Sequence, residues 1–131
     1  MPHKILNPET LHDPVGFGYS HVAVASGELV LVAGQYASDA TGQVAVEDFA
    51  AQVELSFDNL RRALDAVGLD LSHVAQLRTF IVGHDLDKLA VIGRVIGGIW
   101  GDKPPVQTLN GVAALALPGM LFEVDAVAVR P

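Results

Sequence analysis

The sequence contains no cysteine. That absence excludes a disulfide framework, a thiolate nucleophile and any zinc site built on sulfur. Basic side chains are scarce: eight Lys and Arg stand against fifteen Asp and Glu, for a formal net charge of −7. Arg61-Arg62 is the only adjacent basic pair. Binding a phosphate backbone usually requires a basic patch, so nucleic acid is not an expected partner. No run of about 18 uninterrupted apolar residues is available to span a bilayer, and the opening MPHKILNPET lacks the apolar core of a signal peptide. The expectation is a cytoplasmic protein with no membrane partner. The five histidines, His3, His12, His21, His73 and His84, fall in unrelated segments without metal-ligand spacing. No metal is expected. Gly16-Phe17-Gly18 and Gly97-Gly98 sit in the wrong strand-to-helix context for a phosphate-binding loop, and Ser20-His21 would point to opposite faces of a strand, so neither carries cofactor or nucleophile chemistry.

What is present is apolar. Half of the 131 residues are hydrophobic and only 18% are charged. A chain of this length makes one domain, residues 1–131, with a single core, and so small an interior cannot hide that much apolar surface. The surplus predicts an oligomer interface. From Pro104 through Phe122 there is no charged side chain at all, although turn formers are frequent. Such a run must lie in the core, against another subunit, or along a small pocket.

Periodicity supplies the elements. SHVAVASGELVLVAGQYA reads as a hairpin turning at Ser26-Gly27-Glu28, its second strand apolar enough to be covered on both faces. From Glu47 the spacing changes to that of a helix, with Phe49, Val53, Phe57, Leu60, Leu64 and Val67 on one side and Gly68 as the stop. HVAQLRTFIVG reads as a strand apolar on both sides. Asp85 is the expected N-cap of a second helix whose buried stripe is Leu86, Leu89, Ile92, Ile96 and Ile99, while Gly93, Gly97 and Gly98 predict close backbone packing. The order of elements is α+β, with two helices laid on one sheet.

The final strand, LFEVDAVAV, is the most informative. Side chains alternate with period 2, so Phe122, Val124, Ala126 and Ala128 form an apolar face that belongs under the helices. Glu123 and Asp125 then share the opposite face. Neighbouring carboxylates raise each other's pKa unless a cation compensates, and Arg78, the one cation in an otherwise apolar strand, is placed to do so. Glu123 is either part of a solvated or interfacial face without chemistry, or a general acid/base at the edge of a cleft. Tyr19 and Tyr36 are each candidates for a cavity wall or for a core aromatic with a satisfied hydroxyl.

Taken together, GFGYSHVAV, LVLVAGQYA before a TG turn, NLRRALDAVGLDLSHVAQLRTFIV, HDLDKLAVI and PPVQTLNGVAALALPGMLFEVDAVAV resemble the RidA (YjgF, Rid) family over nearly the whole chain. The resemblance implies a chorismate-mutase-like α+β fold: a mixed sheet of about six strands, two helices on one face, and a homotrimer with a central barrel and three clefts between subunits. It also implies cofactor-independent hydrolysis of enamines and imines such as 2-aminoacrylate. In that family an arginine pairs with the substrate carboxylate and an acidic residue on the last strand manages water. Glu123 matches the acidic position and Tyr19 a cleft tyrosine. Gly34 and Gln35 match the glycine and glutamine after the second strand, with Ala33 where a serine is frequent. Gln107 falls on the arginine position, Leu109 on a frequent cysteine, and Gly93 on a helix asparagine.

The departures carry physical weight. A guanidinium binds a carboxylate through two charge-assisted hydrogen bonds, each worth about 1.5–3 kcal/mol against roughly 1 kcal/mol for a neutral one. Gln107 offers no charge, so a carboxylate substrate beside Glu123 would meet uncompensated repulsion. The expected function is imine or enamine deaminase chemistry on a small molecule other than 2-aminoacrylate. The alternatives are a non-catalytic metabolite-binding trimer and, least expected of the three, the endoribonuclease or translation inhibitor for which parts of the family were named.

Overall fold

The protein is described by a computed structural model over residues 3–131. Its elements in chain order are β1 (His3–Leu6), β2 (Val22–Ala25), β3 (Glu28–Gln35), α1 (Phe49–Asp65), β4 (Val74–Val82), α2 (Leu86–Trp100), β5 (Val106–Val112) and β6 (Phe122–Arg130). Short 3-10 turns occupy Val15–Phe17 and Leu71–His73.

The last strand organises the rest. β6 lies between β3 and β4 and pairs antiparallel with both, while β5 runs parallel to β4, giving a four-stranded mixed sheet in the order β3-β6-β4-β5. The parallel step is possible because α2 provides the long crossover that such strands need. As the alternation predicts, Phe122, Val124, Ala126 and Ala128 are buried with Leu77 and Ile81 of β4, beneath Val53, Phe57, Leu60 and Leu64 of α1 and Ile92 and Ile96 of α2. Asp48 caps α1 by accepting from Ala51 N, and Asp85 caps α2 by accepting from Lys88 N. The α+β architecture, with both helices on one face of a mixed sheet, is the one expected from the sequence.

Several details differ. The six strands divide into the four-stranded sheet and a separate pair, β1 with β2. β2 and β3 are consecutive but do not form a hairpin: β2 pairs with β1, which the sequence reading did not assign, and β3 pairs with β6. The corner is made by Gly27, at φ +133°, where a Cβ would stand 2.3 Å from the Arg130 carbonyl oxygen. The chain therefore turns away from the sheet instead of folding back along it. β3 is not covered on both faces either. Val30 and Val32 pack on the core, whereas Leu29 and Leu31 are 65% and 75% exposed. β4 likewise has a polar outer face, with Gln76 and Arg78 exposed.

Both helical stripes shrink at one end. Val67 lies beyond α1 and is exposed, its expected place being taken by the buried Leu69. Leu86 is 80% exposed because the first turn of α2 overhangs the core. Of the helix glycines, Gly93 does lie against backbone: an added Cβ would sit 3.5 Å from the Gly16 carbonyl oxygen, and one on Gly18 would sit 3.2 Å from Gly93 Cα. Nothing lies within 4 Å of a Cβ built on Gly97 or Gly98.

The charge-free segment serves two purposes. Its first part is β5, an edge of the four-stranded sheet, and its second is the loop from residue 113 to 121. That loop is held by Gln52, a buried amide on α1. Gln52 donates to the carbonyls of Val46 (3.0 Å) and Gly119 (2.8 Å) and accepts from Leu121 N (2.9 Å). A buried amide satisfied at both ends avoids the penalty of unpaired polar groups.

Candidate functional site

A cleft of about 460 Å³ opens where the start of β5 meets the Val15–Phe17 turn and α2. It is lined by His12, Phe17, Tyr19, Leu89, Gln107, Thr108 and Leu109. Three of the residues singled out from the sequence, Tyr19, Gln107 and Leu109, are thus brought together. Among the described residues, none in its wall carries a carboxylate, ammonium or guanidinium.

Gln107 is fully engaged. Its Oε1 accepts from the Thr79 hydroxyl at 2.8 Å and its Nε2 donates to the Gly18 carbonyl at 2.9 Å. A backbone bond from Ser20 N to the Pro105 carbonyl, 3.1 Å, adds a second tie between the same segments. Gln107 consequently fastens the turn carrying Phe17 and Tyr19 to the sheet, the local role open to an amide at a strand end.

Sheet register separates Glu123 from this cleft. Gln107 lies beside Leu77 and Leu109 beside Thr79, and both β4 partners are buried under the helices. Side chains of paired residues share a face, so Gln107 and Leu109 belong to the helix-bearing side. Glu123 pairs with Phe80 and Asp125 with Arg78, on the open side. Within one chain, Glu123 and Gln107 stand on opposite faces of the same sheet.

Glu123 sits in a corner made by irregular pairing. The register of β3 against β6 shifts between Val32 and Gln35, the signature of a bulge. That shift brings Gly34 against the Glu123 side chain, so closely that a Cβ on Gly34 would lie 2.6 Å from Glu123 Cδ and 2.8 Å from its Oε1. Burial pushes the Glu123 carboxyl above the ordinary glutamate value, and the Asp125 charge pushes it further the same way. Arg78 does not relieve it. Its guanidinium forms a forked ion pair with Asp125, Nε to Oδ1 at 3.1 Å and Nη2 to Oδ2 at 2.6 Å, and its Cζ lies 5.7 Å from the Phe80 ring centre. Arg78 therefore compensates Asp125 on the open face and takes no part in lining the cleft.

The remaining candidates are dispersed. Ala33 is exposed and its carbonyl accepts from Gln35 Nε2 at 3.1 Å. Gln35 pairs with Val124, which places it on the helix side, in a depression shared with Asn59 and Arg62. Tyr36 donates to the Gly42 carbonyl at 2.6 Å and closes a turn.

Sequence reasoning missed His12, Phe17, Leu89 and Thr108 as cleft residues. His12 is the most informative of these, because its Nε2 lies 2.6 Å from the Tyr19 hydroxyl. Six residues separate the two, three of them in the Val15–Phe17 turn, and no periodic signal connects them. Among the described residues, no cluster of three or more His, Cys, Asp or Glu converges in a way that could hold a metal ion. No helix among them is long and apolar enough to cross a membrane.

Two helices on one face of a mixed sheet, with a cleft at the β5 end and a half-buried glutamate on the last strand, define a class of small α+β proteins. The chain belongs to the family described as Endoribonuclease L-PSP, the Rid or YjgF family, whose pattern matches residues 11–130. It is 32% identical to Protein DfrA of Myxococcus xanthus over 130 residues, 98% of this chain and 97% of the relative. It is 25% identical over 124 residues to the 2-iminobutanoate/2-iminopropanoate deaminase of Salmonella typhimurium, covering 92% of this chain and 94% of that one. Among solved structures, the conserved Rid-family protein YyfB of Yersinia pestis, of unknown function, superposes with a TM-score of 0.93 at 37% identity, over 99% of this chain and all of that one.

Proposed function

We propose that the protein is a cofactor-independent hydrolase of small imines or enamines that works as a homotrimer in the cytoplasm. In this reading Glu123 of one subunit faces the Tyr19–Gln107 cleft of the next. The observation that carries it is the Glu123 corner: a carboxyl with a raised pKa, seated against Gly34 on a sheet face left open by its own chain. A general acid/base is most effective when its pKa lies near the working pH, and burial beside another carboxylate moves Glu123 in that direction. The exposed Leu29 and Leu31 on the same face support its burial by another copy.

The substrate is one other than 2-aminoacrylate. With both ends of its amide occupied, Gln107 offers no cation to a carboxylate, and nothing else in the cleft wall carries a fixed positive charge. The cleft instead suits a small, largely apolar imine oriented by the Tyr19 hydroxyl, Thr108 and Leu109. These same occupied bonds favour the second reading, a metabolite-binding trimer without turnover, because a cleft stripped of its charged anchor can bind without activating. Endoribonuclease activity has the least support, given the net charge of −7.

The test is ammonia release above the spontaneous rate from two imines generated in situ, an α-iminocarboxylate from an amino-acid oxidase and a neutral imine from an amine oxidase. The expected result is acceleration of the neutral imine by the wild type, a loss of about 100-fold or more in Glu123→Gln, and acceleration of the α-iminocarboxylate only in Gln107→Arg. If the wild type accelerates neither imine, the metabolite-binding reading replaces this one.

A further inference from the structure

The loop from residue 7 to 21 is closed by side chains as well as by short backbone turns, and the closure serves one contact. Asn7 accepts from His21 N at 2.7 Å and donates to the Ser20 hydroxyl at 3.3 Å. The His21 ring lies 4.8 Å from that of His12, nearly perpendicular to it, and His21 Nε2 donates to the His12 carbonyl at 2.8 Å. Phe17 packs edge-on against His12 at 6.2 Å. His12 is thereby held from three sides with its Nε2 on the Tyr19 hydroxyl at 2.6 Å, and both side chains line the cleft.

Among the described residues, His12 and Tyr19 are the only titratable side chains that one chain contributes to the cleft wall. Around His12 stand Phe17, Tyr19 and His21 from its own loop, while α2 and β5 contribute Leu89, Gln107, Thr108 and Leu109. The carboxylate next along the chain, Asp13, accepts from Val15 N at 3.0 Å. No ammonium or guanidinium is present among these groups. A neutral imidazole nitrogen accepts from a phenol, and an imidazolium donates to a phenolate, so the one contact can pass a proton in either direction.

We propose that His12 and Tyr19 form a proton relay that connects solvent to the substrate nitrogen, an inference that rests on the imine-hydrolase reading above. Tyr19 gives its phenolic proton to the imine nitrogen, forming the iminium ion, and protonated His12 returns a proton to the phenolate. Water adds to the iminium carbon as Glu123 of the neighbouring subunit takes the released proton, giving a neutral carbinolamine. Glu123 then protonates the amine nitrogen, and the C–N bond breaks to release ammonia as the oxygen lone pair forms the carbonyl. The hydroxyl proton returns through Tyr19 to His12. Imine and water are converted to carbonyl compound and ammonia, with every side chain restored. Tyr19 touches the substrate; His12 acts through it as a positioning and proton-supplying residue.

The experiment uses the in situ neutral imine with wild type, Tyr19→Phe, His12→Gln, the double variant and His12→Ala. His12→Gln retains an amide near the Nε2 position but cannot titrate. It is expected to lose about 100-fold in kcat with little change in KM, and to lose the limb of the kcat–pH profile that His12 supplies. The double variant should be no slower than Tyr19→Phe alone, as for groups that act as one unit. Added imidazole should restore part of the turnover of His12→Ala, which also shows that variant to be folded. Multiplying losses in the double variant, or an unchanged pH profile in His12→Gln with no rescue by imidazole, would overturn the relay and leave the hydrolase reading standing. Absence of turnover by the wild type on both imines overturns the hydrolase reading and the relay with it.

Discussion

The Tyr19 cleft and the Glu123 corner lie on opposite faces of one sheet and are built by different means. The cleft is held by directional hydrogen bonds, Gln107 to Gly18 and Thr79, and His12 to Tyr19. The corner is held by shape and charge: a bulge, a missing Cβ at Gly34, and a carboxylate whose neighbour is already paired with Arg78. The difference teaches that the two halves answer to different perturbations. Adding a carbon atom should break the corner and spare the cleft, whereas removing an amide should do the reverse.

The largest displacement in the corner is expected from the smallest substitution. In Gly34→Ala the new methyl cannot coexist with Glu123 Cδ at 2.6 Å, so the Glu123 side chain or the bulge must move. Because the clashing atoms end a flexible side chain, the cost falls at the low end of overpacking, about 1 kcal/mol, read as a lower midpoint in urea. Gly34→Ala combined with Glu123→Ala should recover most of the loss, because the clashing atoms are gone. A strictly additive double variant would show that the strain lies in the backbone instead.

Gln107→Leu is next. It leaves the Gly18 carbonyl and Thr79 hydroxyl without their partner, at about 1–3 kcal/mol for groups shielded from water, and frees the turn that carries Tyr19. Hydrogen exchange should rise in residues 12–21 and stay unchanged in β3 and β6. Uniform exchange across both regions would argue against a separate role for this amide.

The smallest effect is a pH dependence. The native pKa of Glu123 is raised, so the folded state holds its proton more tightly than the unfolded state does. Stability linked to this group is greatest below the ordinary carboxylate range and is lost as pH rises through the raised native value. Asp39, Asp70 and Asp85 are shifted downward by their hydrogen bonds and act oppositely, with stability lost as pH falls. Glu123→Gln should therefore gain on the wild type as pH increases, measured by urea unfolding across pH 4 to 8. Arg78→Gln exposes Glu123 to an unpaired Asp125 and should move that crossover to higher pH.

The sequence carried the faces of elements better than their partners. Alternation along β6 separated Phe122, Val124, Ala126 and Ala128 from Glu123 and Asp125, because burial and period are linked residue by residue. Pairing is not local. Nothing within Val22–Gln35 shows that its first strand joins His3–Leu6, since that depends on the Gly27 corner meeting the Arg130 carbonyl across the fold. Leu86 has the right helical spacing, but spacing identifies a stripe and not how far the core beneath it extends. Among the candidate residues, Glu123 lies on the open face that alternation gives it, and Tyr19, Gln107 and Leu109 share a cleft on the other face. His12 was not legible, because an irregular loop closed by Asn7 and His21 has no period to read.

The position of β6 also governs when the molecule can exist. Glu28 pairs with Arg130, and β6 supplies the floor on which α1 rests, with α2 packed against α1. A ribosome that has released only the first five strands has therefore made a chain without a middle to its sheet. Helix α1 and the β4-α2-β5 crossover can form early, but their apolar faces stay exposed until the last strand slots between two that are already made. Contacts so distant along the chain carry a large loop-closure cost and slow folding. Loss of even the last few residues of β6, among them the buried Ala128 and Val129, would thus strip the core rather than trim an edge.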